Sequence, residues 1–484
     1  MERDTIASAL GPYAALPHVA LFPFMSKGHI NPLLHLACVL HRRRLATFTF
    51  FTTPGNSPYV RSALVGVDPV AGGIVELSFP VDNPGIPAGV ESTDELPSMS
   101  LFLDFVNATK RLRPEFELAL GAIRPRPSLL ISDGFLGWTV ESARDLGIRR
   151  LSSYGMGFHT MTVNSLLLIT RPHASISSEG EPFEVPGLGH VQFTKGDLSP
   201  PFDDPCASTP LGDFVREQEK FDTQSFGLVM NSFYEMEAAY ADHWHRHFTK
   251  AWCVGPLLLG LPEERSLRGK CAEWLDARAA EGRPVLYVSF GTQAELPVAL
   301  VEEVAAGLEN SGADFLWVQR RKESSGFAEM AGGRGLVASE WVPQTGVLAH
   351  AAVKGFLSHC GWNSVLESVC AGVPILALPL MADQPLNAKF VVEELGIGQR
   401  VRTVDGTRRD LVKREDIEEM VRELLAGEKG REAAARMAEL RIAARRAMED
   451  GGSSWRALEE MVGGVSSAAV AVGGKVSPPG PAAH

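Results

Sequence analysis

The chain of 484 residues contains no long uninterrupted apolar run. The segment Val369 to Ala382 is broken by Gly372, Pro374 and Pro379, whereas a membrane-spanning helix needs about 20 consecutive apolar residues. The first residues, MERDTIASALGPYAAL, have neither the basic start nor the apolar core of a secretory signal peptide. The sequence therefore predicts a cytoplasmic protein without a membrane span.

Cysteine is scarce, and its spacing is that of neither a metal site nor a redox motif. There is no C-x-x-C pair and no set of Cys and His at ligand spacing, and a D-x-D cluster is also missing. We therefore predict no metal ion and no disulfide framework. The six residues expected to be reduced thiols are Cys38, Cys206, Cys253, Cys271, Cys360 and Cys370.

Positive charge is in deficit. The formal net charge of −12 argues against nucleic acid or an anionic membrane as the main partner, since neither attracts an acidic surface. A hydrophobic content of 45% with 21% charged residues is typical of a globular protein, and the length suffices for two to three domains.

The first βαβ unit lacks the G-x-G-x-x-G fingerprint of dinucleotide-binding proteins. His18 to Phe24 is predicted as a buried strand, residues 25–29 as a turn with His29 at its crest, and the helix is expected to begin at Asn31. The missing glycines argue against a nicotinamide- or flavin-dependent oxidoreductase, although the fold alone would not exclude one.

Strand and helix patterns alternate through two successive halves of the chain. This predicts an α/β protein with two doubly wound, Rossmann-like domains that face each other across a cleft. The expected boundaries are a flexible segment at 1–16, domains at 17–252 and 263–452 joined by a Gly/Pro linker at 253–262, and a disordered Gly/Ala/Pro/Ser tail at 464–484.

The stretch from Trp341 to Gln384 is the most informative in the chain. A predicted strand at 353–357 leads through a glycine-containing turn into a helix at 365–371, followed by a second strand at 373–380. A turn of this kind directs backbone N–H groups and the positive end of the helix dipole outward, which suits a phosphate. Asp383 and Gln384 follow the second strand, at the sheet edge where ligands bind.

This stretch resembles the nucleotide-sugar signature of the plant family-1 UDP-glycosyltransferases. It has the W-x-P-Q start, the H-C-G-W-N-S centre, a Glu, G-V-P and the closing D-Q, but Met381 stands where the family usually has an aromatic residue. The resemblance covers about residues 17–463 and implies the GT-B fold. In that fold the N-terminal domain binds the acceptor, the C-terminal domain binds the UDP-sugar, and the last helix, here 453–463, crosses back to the N-terminal domain.

The resemblance also implies a role for each residue of the donor site. Trp341 would stack on uracil beside the backbone of Val342, Gln344 and Glu367 would hold the ribose, and Trp362, Asp383 and Gln384 would bind the sugar. His359, Gly361, Asn363, Ser364 and Thr292 would surround the diphosphate. A closing Gln is associated in the family with UDP-glucose.

His29 and Asp133 are the candidate catalytic pair. Both follow strands of the N-terminal half, so both side chains are expected in one crevice, where Asp133 would orient the imidazole while His29 takes a proton. They also match the G-H-x-x-P and S-D-x-F motifs of the family. The reaction implied is direct displacement of UDP by an acceptor hydroxyl, with inversion to a β-glycoside and without a metal ion.

The acceptor pocket is expected to be apolar and to suit a small lipophilic compound, such as a flavonoid. A different UDP-sugar donor, such as UDP-xylose or UDP-rhamnose, and a non-catalytic nucleotide-sugar-binding protein remain as alternatives. The protein is expected to be a monomer. The predicted pocket residues are Phe24, Met99, Phe102, Leu136, Trp138 and Met156.

Overall fold

The computed structural model describes residues 13–205, 208–261, 267–293, 296–319, 334–401 and 412–469. Their helices and strands form two parallel β-sheets, one in each half of the chain.

The N-terminal domain is built on a seven-stranded parallel sheet in the order β3-β2-β1-β4-β5-β8-β9, beside a small antiparallel hairpin of β6 and β7. Its strands are β1 (His18–Phe22), β2 (Thr47–Thr52), β3 (Gly72–Glu76), β4 (Leu129–Asp133), β5 (Arg149–Ser153), β6 (Phe183–Glu184), β7 (Gln192–Phe193), β8 (Gly227–Met230) and β9 (Ala251–Cys253). Its helices are α1 (Lys27–Arg42), α2 (Ser57–Ala63), α3 (Phe102–Thr109), α4 (Arg113–Ala122), α5 (Thr139–Asp145), α6 (Phe158–Thr170), α7 (Pro210–Gln224) and α8 (Tyr234–His247).

Both faces of this sheet are buried. Val19 and Leu21 of β1 pack with the apolar face of α1, whereas Ala20 and Phe22 pack with α3 and α4 on the opposite face. Successive side chains of a strand point to opposite faces, so a parallel strand that is covered on both sides needs a continuous apolar run. The run predicted from residue 18 is therefore a strand at the centre of the sheet.

The C-terminal domain is built on a six-stranded parallel sheet in the order β12-β11-β10-β13-β14-β15. Its strands are β10 (Val285–Ser289), β11 (Asp314–Val318), β12 (Gly335–Ala338), β13 (Val353–Ser358), β14 (Ile375–Ala377) and β15 (Gly398–Arg400). Its helices are α9 (Lys270–Ala280), α10 (Val298–Ser311), α11 (Gln344–Leu348), α12 (Trp362–Ala371), α13 (Gln384–Lys389), α14 (Arg414–Ala426) and α15 (Glu428–Met448).

The last helix, α16 (Ser453–Ala469), crosses back onto the N-terminal domain. Leu458, Met461 and Val462 are buried in the same core as β1 and α1. The apolar face of this helix therefore packs against the first domain.

Several predicted boundaries differ from the structure. The helix α1 begins at Lys27 rather than at Asn31, which moves His29 from a turn into the first helical turn. The last helix continues through 464–469, which was predicted as tail, and Tyr13 to Leu16 forms a turn inside the segment predicted as flexible. Residues 1–12 and 470–484 lie outside the described residues.

The sequence patterns did not predict the strands β5, β9, β12 and β15. The strand β5 begins with two arginines, but the buried Arg150 guanidinium donates to Ser132 and Ser225 and to the Asp133 carbonyl, which offsets its burial. Because β9 includes Cys253, the predicted linker at 253–262 begins inside a strand.

The five cysteines in the described part of the chain are unpaired, and Cys206 lies outside it. Among the same residues, no helix combines the length and apolarity required to cross a membrane.

Candidate active site

A cavity of about 1300 Å³ lies between the two domains, at the carboxyl ends of both sheets. His29 follows β1 and reaches it from the N-terminal domain, while His359 follows β13 and reaches it from the C-terminal domain. Ligands of open α/β sheets bind at the carboxyl ends of the strands. Because these ends of the two sheets lie opposite each other, they form one shared site.

His29 and Asp133 form a hydrogen-bonded pair at the wall of this cavity. The Nδ1–H of His29 donates to Oδ2 of Asp133 across 2.7 Å, and Oδ1 of Asp133 accepts from the Phe135 backbone N–H at 2.9 Å. The Asp133 side chain is only 2% exposed and that of His29 is 17% exposed. The buried carboxylate therefore fixes the imidazole, whose other nitrogen remains at the cavity surface.

Charge near His29 outweighs the effect of its burial. Burial by itself lowers the pKa of His29, but the charge of Asp133 and its hydrogen bond, with smaller contributions from Asp383 and Asp94, raise that pKa above the usual value. A base with such a pKa gains a proton readily near neutral pH.

The start of α12 supplies backbone donors to the cavity. Gly361 precedes the helix and no side chain caps it, so its first N–H groups have no intrahelical partner. Asn363 and Ser364 of this turn line the cavity. Partial positive charge at this helix end favours an anion such as a diphosphate.

His359 lies against two glycines at the same place. A Cβ atom on Gly291 would lie 2.7 Å from His359 Nε2, and one on Gly361 would lie 2.6 Å from it. A side chain at either position would therefore displace the His359 ring, and the φ of +79° at Gly291 also favours glycine there. Burial lowers the pKa of His359 to about 4, so its imidazole is neutral at physiological pH.

Gln344 and Glu367 contact each other on the C-terminal-domain side of the cavity. The Gln344 Nε2 donates to Glu367 Oε2 at 2.7 Å and to Ser364 Oγ at 3.0 Å, while Tyr287 donates to its Oε1. The Trp341 side chain beside them is 64% exposed, and Val342 also lines the cavity. An exposed indole next to a fixed carboxylate offers a stacking surface beside hydrogen-bond acceptors.

Asp383 and Gln384 are held in place by separate contacts. Gln384 Oε1 accepts from the backbone N–H groups of Leu380 and Met381, at 2.9 and 3.0 Å, which leaves its Nε2 as the remaining donor. Asp383 Oδ2 accepts from Asn387 Nδ2 at 2.6 Å. Burial raises the pKa of Asp383 to about 6.

Aromatic rings surround His29 on the side of the N-terminal domain. Phe135 lies 5.0 Å from the His29 ring, and its own neighbours are Phe24, Phe102 and Phe214, with ring centroids 5.4 to 5.6 Å apart. All these rings line the cavity. Edge-to-face packing of this kind gives a rigid apolar surface beside the imidazole.

Comparison with known proteins identifies the family. A family model described as UDP-glucoronosyl and UDP-glucosyl transferase matches residues 264–442. UDP-glycosyltransferase 90A1 of Arabidopsis thaliana is 44% identical over 458 residues, which cover 91% of this chain and 95% of that relative. The chain belongs to the plant family-1 UDP-glycosyltransferases.

Further relatives agree with this assignment. UDP-glucose flavonoid 3-O-glucosyltransferase 7 of Fragaria ananassa is 34% identical, with 95% of this chain and 98% of the relative covered. The crystal structure of Glycyrrhiza uralensis UGT73P12, complexed with glycyrrhetinic acid 3-O-monoglucuronide, superposes with a TM-score of 0.83 at 28% identity and covers 95% of this chain and 97% of that one. The predictions of the family, the GT-B fold and a glycosyltransferase activity are confirmed.

Two of the predicted pocket residues of this glycosyltransferase were wrong. Leu136 is fully buried and Trp138 packs edge-on against Phe116, both in the core beneath the sheet, and neither lines the cavity. The sequence pattern could not distinguish them from Phe135, because the direction of each side chain depends on the short helical turn that follows β4. The other four, Phe24, Met99, Phe102 and Met156, line the cavity.

Trp362 and Thr292 line the cavity but also make contacts between the domains. The Trp362 indole N–H donates to the Asn231 carbonyl at 2.9 Å, and its ring occupies the space that a Cβ on Gly157 would need. The Thr292 hydroxyl donates to Asp94 Oδ1 at 2.6 Å. The indole therefore packs against the N-terminal domain, and the threonine hydroxyl already has a partner.

Sequence reasoning missed Asp94 and Asn387. Asp94 Oδ2 accepts from the Lys27 backbone N–H at the start of α1, and the charge of Asp94 contributes to the raised pKa of His29. Asn387 forms hydrogen bonds with residues of both domains. Its Nδ2 donates to Asp383, and its Oδ1 accepts from Thr160 Oγ1 of the N-terminal domain at 2.9 Å. Asn387 lies one helical turn after Asp383, a spacing that could have identified it, whereas nothing local in the sequence connects Asp94 to His29.

Proposed function

We propose that this enzyme transfers glucose from UDP-glucose to a hydroxyl group of a small lipophilic acceptor and inverts the anomeric centre. The observation that carries the proposal is the His29–Asp133 pair, which lies in the same cavity as Asp383, Gln384 and the start of α12. A base and a nucleotide-sugar site in one crevice can bring an acceptor oxygen to the anomeric carbon.

In the proposed reaction, His29 is the general base. Its neutral Nε2 removes the proton of the acceptor hydroxyl as the oxygen attacks C1 of the sugar and the bond to UDP breaks. Asp133 holds the imidazole in the tautomer that carries the proton on Nδ1 and stabilises the imidazolium. Attack on the face opposite the α-linked UDP gives a β-glucoside.

Charge on the departing diphosphate is balanced by fixed dipoles in this proposal. The uncapped N–H groups of α12, the Ser364 hydroxyl and the neutral His359 ring are the donors. Asn363 contributes less, because its Nδ2 already donates to the Gly28 carbonyl at 2.8 Å. The described part of the chain contains no group of three His, Cys, Asp or Glu side chains that could hold a metal ion.

The sugar is proposed to bind between Gln384 and Asp383. Two backbone N–H groups fix the amide of Gln384, so its Nε2 is the atom that would donate to a sugar hydroxyl, while an ionised Asp383 would accept from one. Such a donor and acceptor suit adjacent equatorial hydroxyls, which supports glucose. UDP-xylose or UDP-rhamnose remains the second candidate because Met381 replaces the usual aromatic residue.

The acceptor is proposed to be phenolic. The rings of Phe24, Phe102, Phe135 and Phe214 provide flat apolar surface next to His29, and a relative from Fragaria ananassa is named a flavonoid 3-O-glucosyltransferase. A non-catalytic nucleotide-sugar binder, the other alternative, does not agree with membership of a glycosyltransferase family.

Turnover with UDP-glucose against a panel of phenolic and terpenoid acceptors tests this function. We expect a product heavier by one hexose, with the β-anomer identified from the coupling constant of its anomeric proton. Parallel reactions with UDP-xylose and UDP-rhamnose test the donor, and faster transfer of either sugar would replace glucose. No product from any donor, from protein that binds UDP, would overturn the proposal.

A further inference from the structure

The residues directly before His29 are hydrogen-bonded to the C-terminal domain. The Ser26 hydroxyl oxygen accepts from Gln293 Nε2 at 2.8 Å, and the Gly28 carbonyl accepts from Asn363 Nδ2 at 2.8 Å. Both donors belong to segments that line the cavity from the C-terminal side. The position of the proposed base therefore depends on contacts across the cleft as well as on the fold of its own domain.

Asp94 makes a further link between the same two parts of the molecule. Its Oδ2 accepts from the Lys27 backbone N–H at 2.9 Å, and its Oδ1 accepts from the Thr292 hydroxyl at 2.6 Å. Lys27 is the first residue of α1, and the first N–H groups of a helix have no partner within the helix. One carboxylate thus joins the helix that carries His29 to the loop that follows β10.

The short turn that carries Asp94 is itself fixed by hydrogen bonds. The Thr93 backbone N–H donates to the Met25 carbonyl at 2.9 Å, and Thr93 Oγ1 accepts from Gln293 Nε2 at 2.8 Å. The Ser92 hydroxyl donates to Asp94 Oδ2 at 3.1 Å. Because these bonds hold the turn against both domains, the carboxylate is in place before any ligand binds.

The loop on the other side of the link lies in the proposed diphosphate site. Gly291 packs so closely on His359 that an added Cβ would lie 2.7 Å from its Nε2, and both residues line the cavity together with Thr292. A hydroxyl has one proton to donate, and that of Thr292 is already directed to Asp94. The hydroxyl therefore serves the contact between the domains.

Asp94 also acts on His29 through its charge. Burial lowers the pKa of His29, whereas the charges of Asp133, Asp383 and Asp94 raise it. A change at Asp94 should therefore affect the protonation of the imidazole as well as its position, and the two effects can be measured separately.

We propose that Asp94 is a positioning residue, which holds His29 at the correct distance from the loop after β10 through its simultaneous bonds to Lys27 and Thr292. It acts through α1 rather than on the reacting atoms. The inference rests on the proposed role of His29 as the base, and it adds the contact that sets this base against the sugar nucleotide.

A double-mutant cycle tests the link. Asp94→Asn keeps the size of the side chain but leaves an oxygen for only one of the two donors, and Thr292→Val removes the hydroxyl at nearly the same shape. Each variant should lower kcat about tenfold, and the double variant should also be about tenfold slower than the wild type, because the same link is lost in all three. A loss of about a hundredfold in the double variant would mean independent roles and would overturn the inference.

Titration calorimetry with UDP distinguishes positioning from binding of the diphosphate. The affinity for UDP should stay within about threefold of the wild type in all three variants, since the effect is on kcat. A loss of UDP affinity of about tenfold or more in Thr292→Val would assign the hydroxyl to the diphosphate and contradict the proposed link.

The pH profile and a control variant exclude a merely structural role. The acidic limb of kcat/KM should move to lower pH in Asp94→Asn, which removes a charge that raises the pKa of His29, but not in Thr292→Val. Glu95→Gln removes the same charge from an exposed position in the same turn and should leave kcat and the melting temperature unchanged. An unmoved limb in Asp94→Asn, or a fall in kcat that follows the loss of folded protein, would contradict the inference.

The inference and the proposed function fail in different ways. If His29→Ala abolishes turnover but the cycle is additive, the function stands and the role of Asp94 fails. If His29→Ala retains wild-type turnover, the proposed mechanism fails and the role of Asp94 fails with it. Asp94→Asn should have no further effect on any turnover left in His29→Ala, because no base remains to be positioned.

Discussion

The two walls of the cavity are built in different ways. On the proposed donor side, Gln344, Asp383 and Gln384 are each held by hydrogen bonds within the C-terminal domain. On the proposed acceptor side, the surface consists mainly of packed aromatic rings. Fixed polar groups recognise one ligand, whereas an apolar surface with few directional contacts accepts a range of shapes.

The two sides also differ in their origin along the chain. Most proposed donor residues lie between 341 and 384, in one strand-turn-helix-strand segment. The acceptor wall combines residues after β1, in α3, after β4 and in α7, which span roughly two hundred residues. A change on the donor side should therefore alter nucleotide binding, while a change on the acceptor side should alter catalysis or acceptor use and leave nucleotide binding intact.

The largest effect should separate catalysis from nucleotide binding. His29→Ala removes the proposed base and should lower kcat by about 10³-fold, while the affinity for UDP stays within about twofold, because the proposed nucleotide contacts lie in the other domain. Initial rates and titration calorimetry with UDP measure the two quantities. Wild-type turnover in this variant would exclude His29 from the mechanism.

The next effect concerns pH. The base must be neutral, so kcat/KM should fall as the pH drops below the pKa of His29, which Asp133 helps to raise above 6.5. Asp133→Asn should lower kcat/KM about a hundredfold and move the acidic limb of its pH profile to lower pH. A limb at the wild-type pH would mean that another group, such as Asp383, controls it.

A third change tests the close packing of the donor side. Gly361→Ala would place a Cβ atom 2.6 Å from His359 Nε2 and should raise KM for the UDP-sugar about tenfold, with little change in acceptor KM. Gly463→Ala is the matched control, because its added methyl group meets no atom within 4 Å. If the two variants have equal donor KM values, the site tolerates movement of His359.

The smallest effect on activity should come from the acceptor side, where two aromatic residues can be compared. Trp138→Ala should reduce the free energy of unfolding by about 3 to 5 kcal/mol, because it leaves a cavity in the core. Phe102→Ala should cost less stability but raise acceptor KM several-fold, since its ring lines the cavity. Urea unfolding and acceptor kinetics distinguish the outcomes, and the reverse pattern would mean that the two side chains have been assigned to the wrong surfaces.

The sequence alone determined the family and the fold class, and it identified most of the proposed donor segment. Residues 341–384 form a local unit in which a strand, a glycine turn and a helix start fix the neighbouring side chains. The same reasoning brought His29 and Asp133 together, because both follow parallel strands that end at one sheet edge.

Only the tertiary structure decided which side chains face the cavity. Phe135 reaches it while Leu136 and Trp138 turn into the core, and Trp362 packs across the domain interface. The charge of Asp94 acts on the pKa of His29, and Gln218 and Asp222 form part of the cavity wall, through the packing of distant segments. Local residue spacing specifies helices and strands. Which side chains face the cavity depends instead on contacts between residues that are far apart in the sequence, and local spacing does not reveal those contacts.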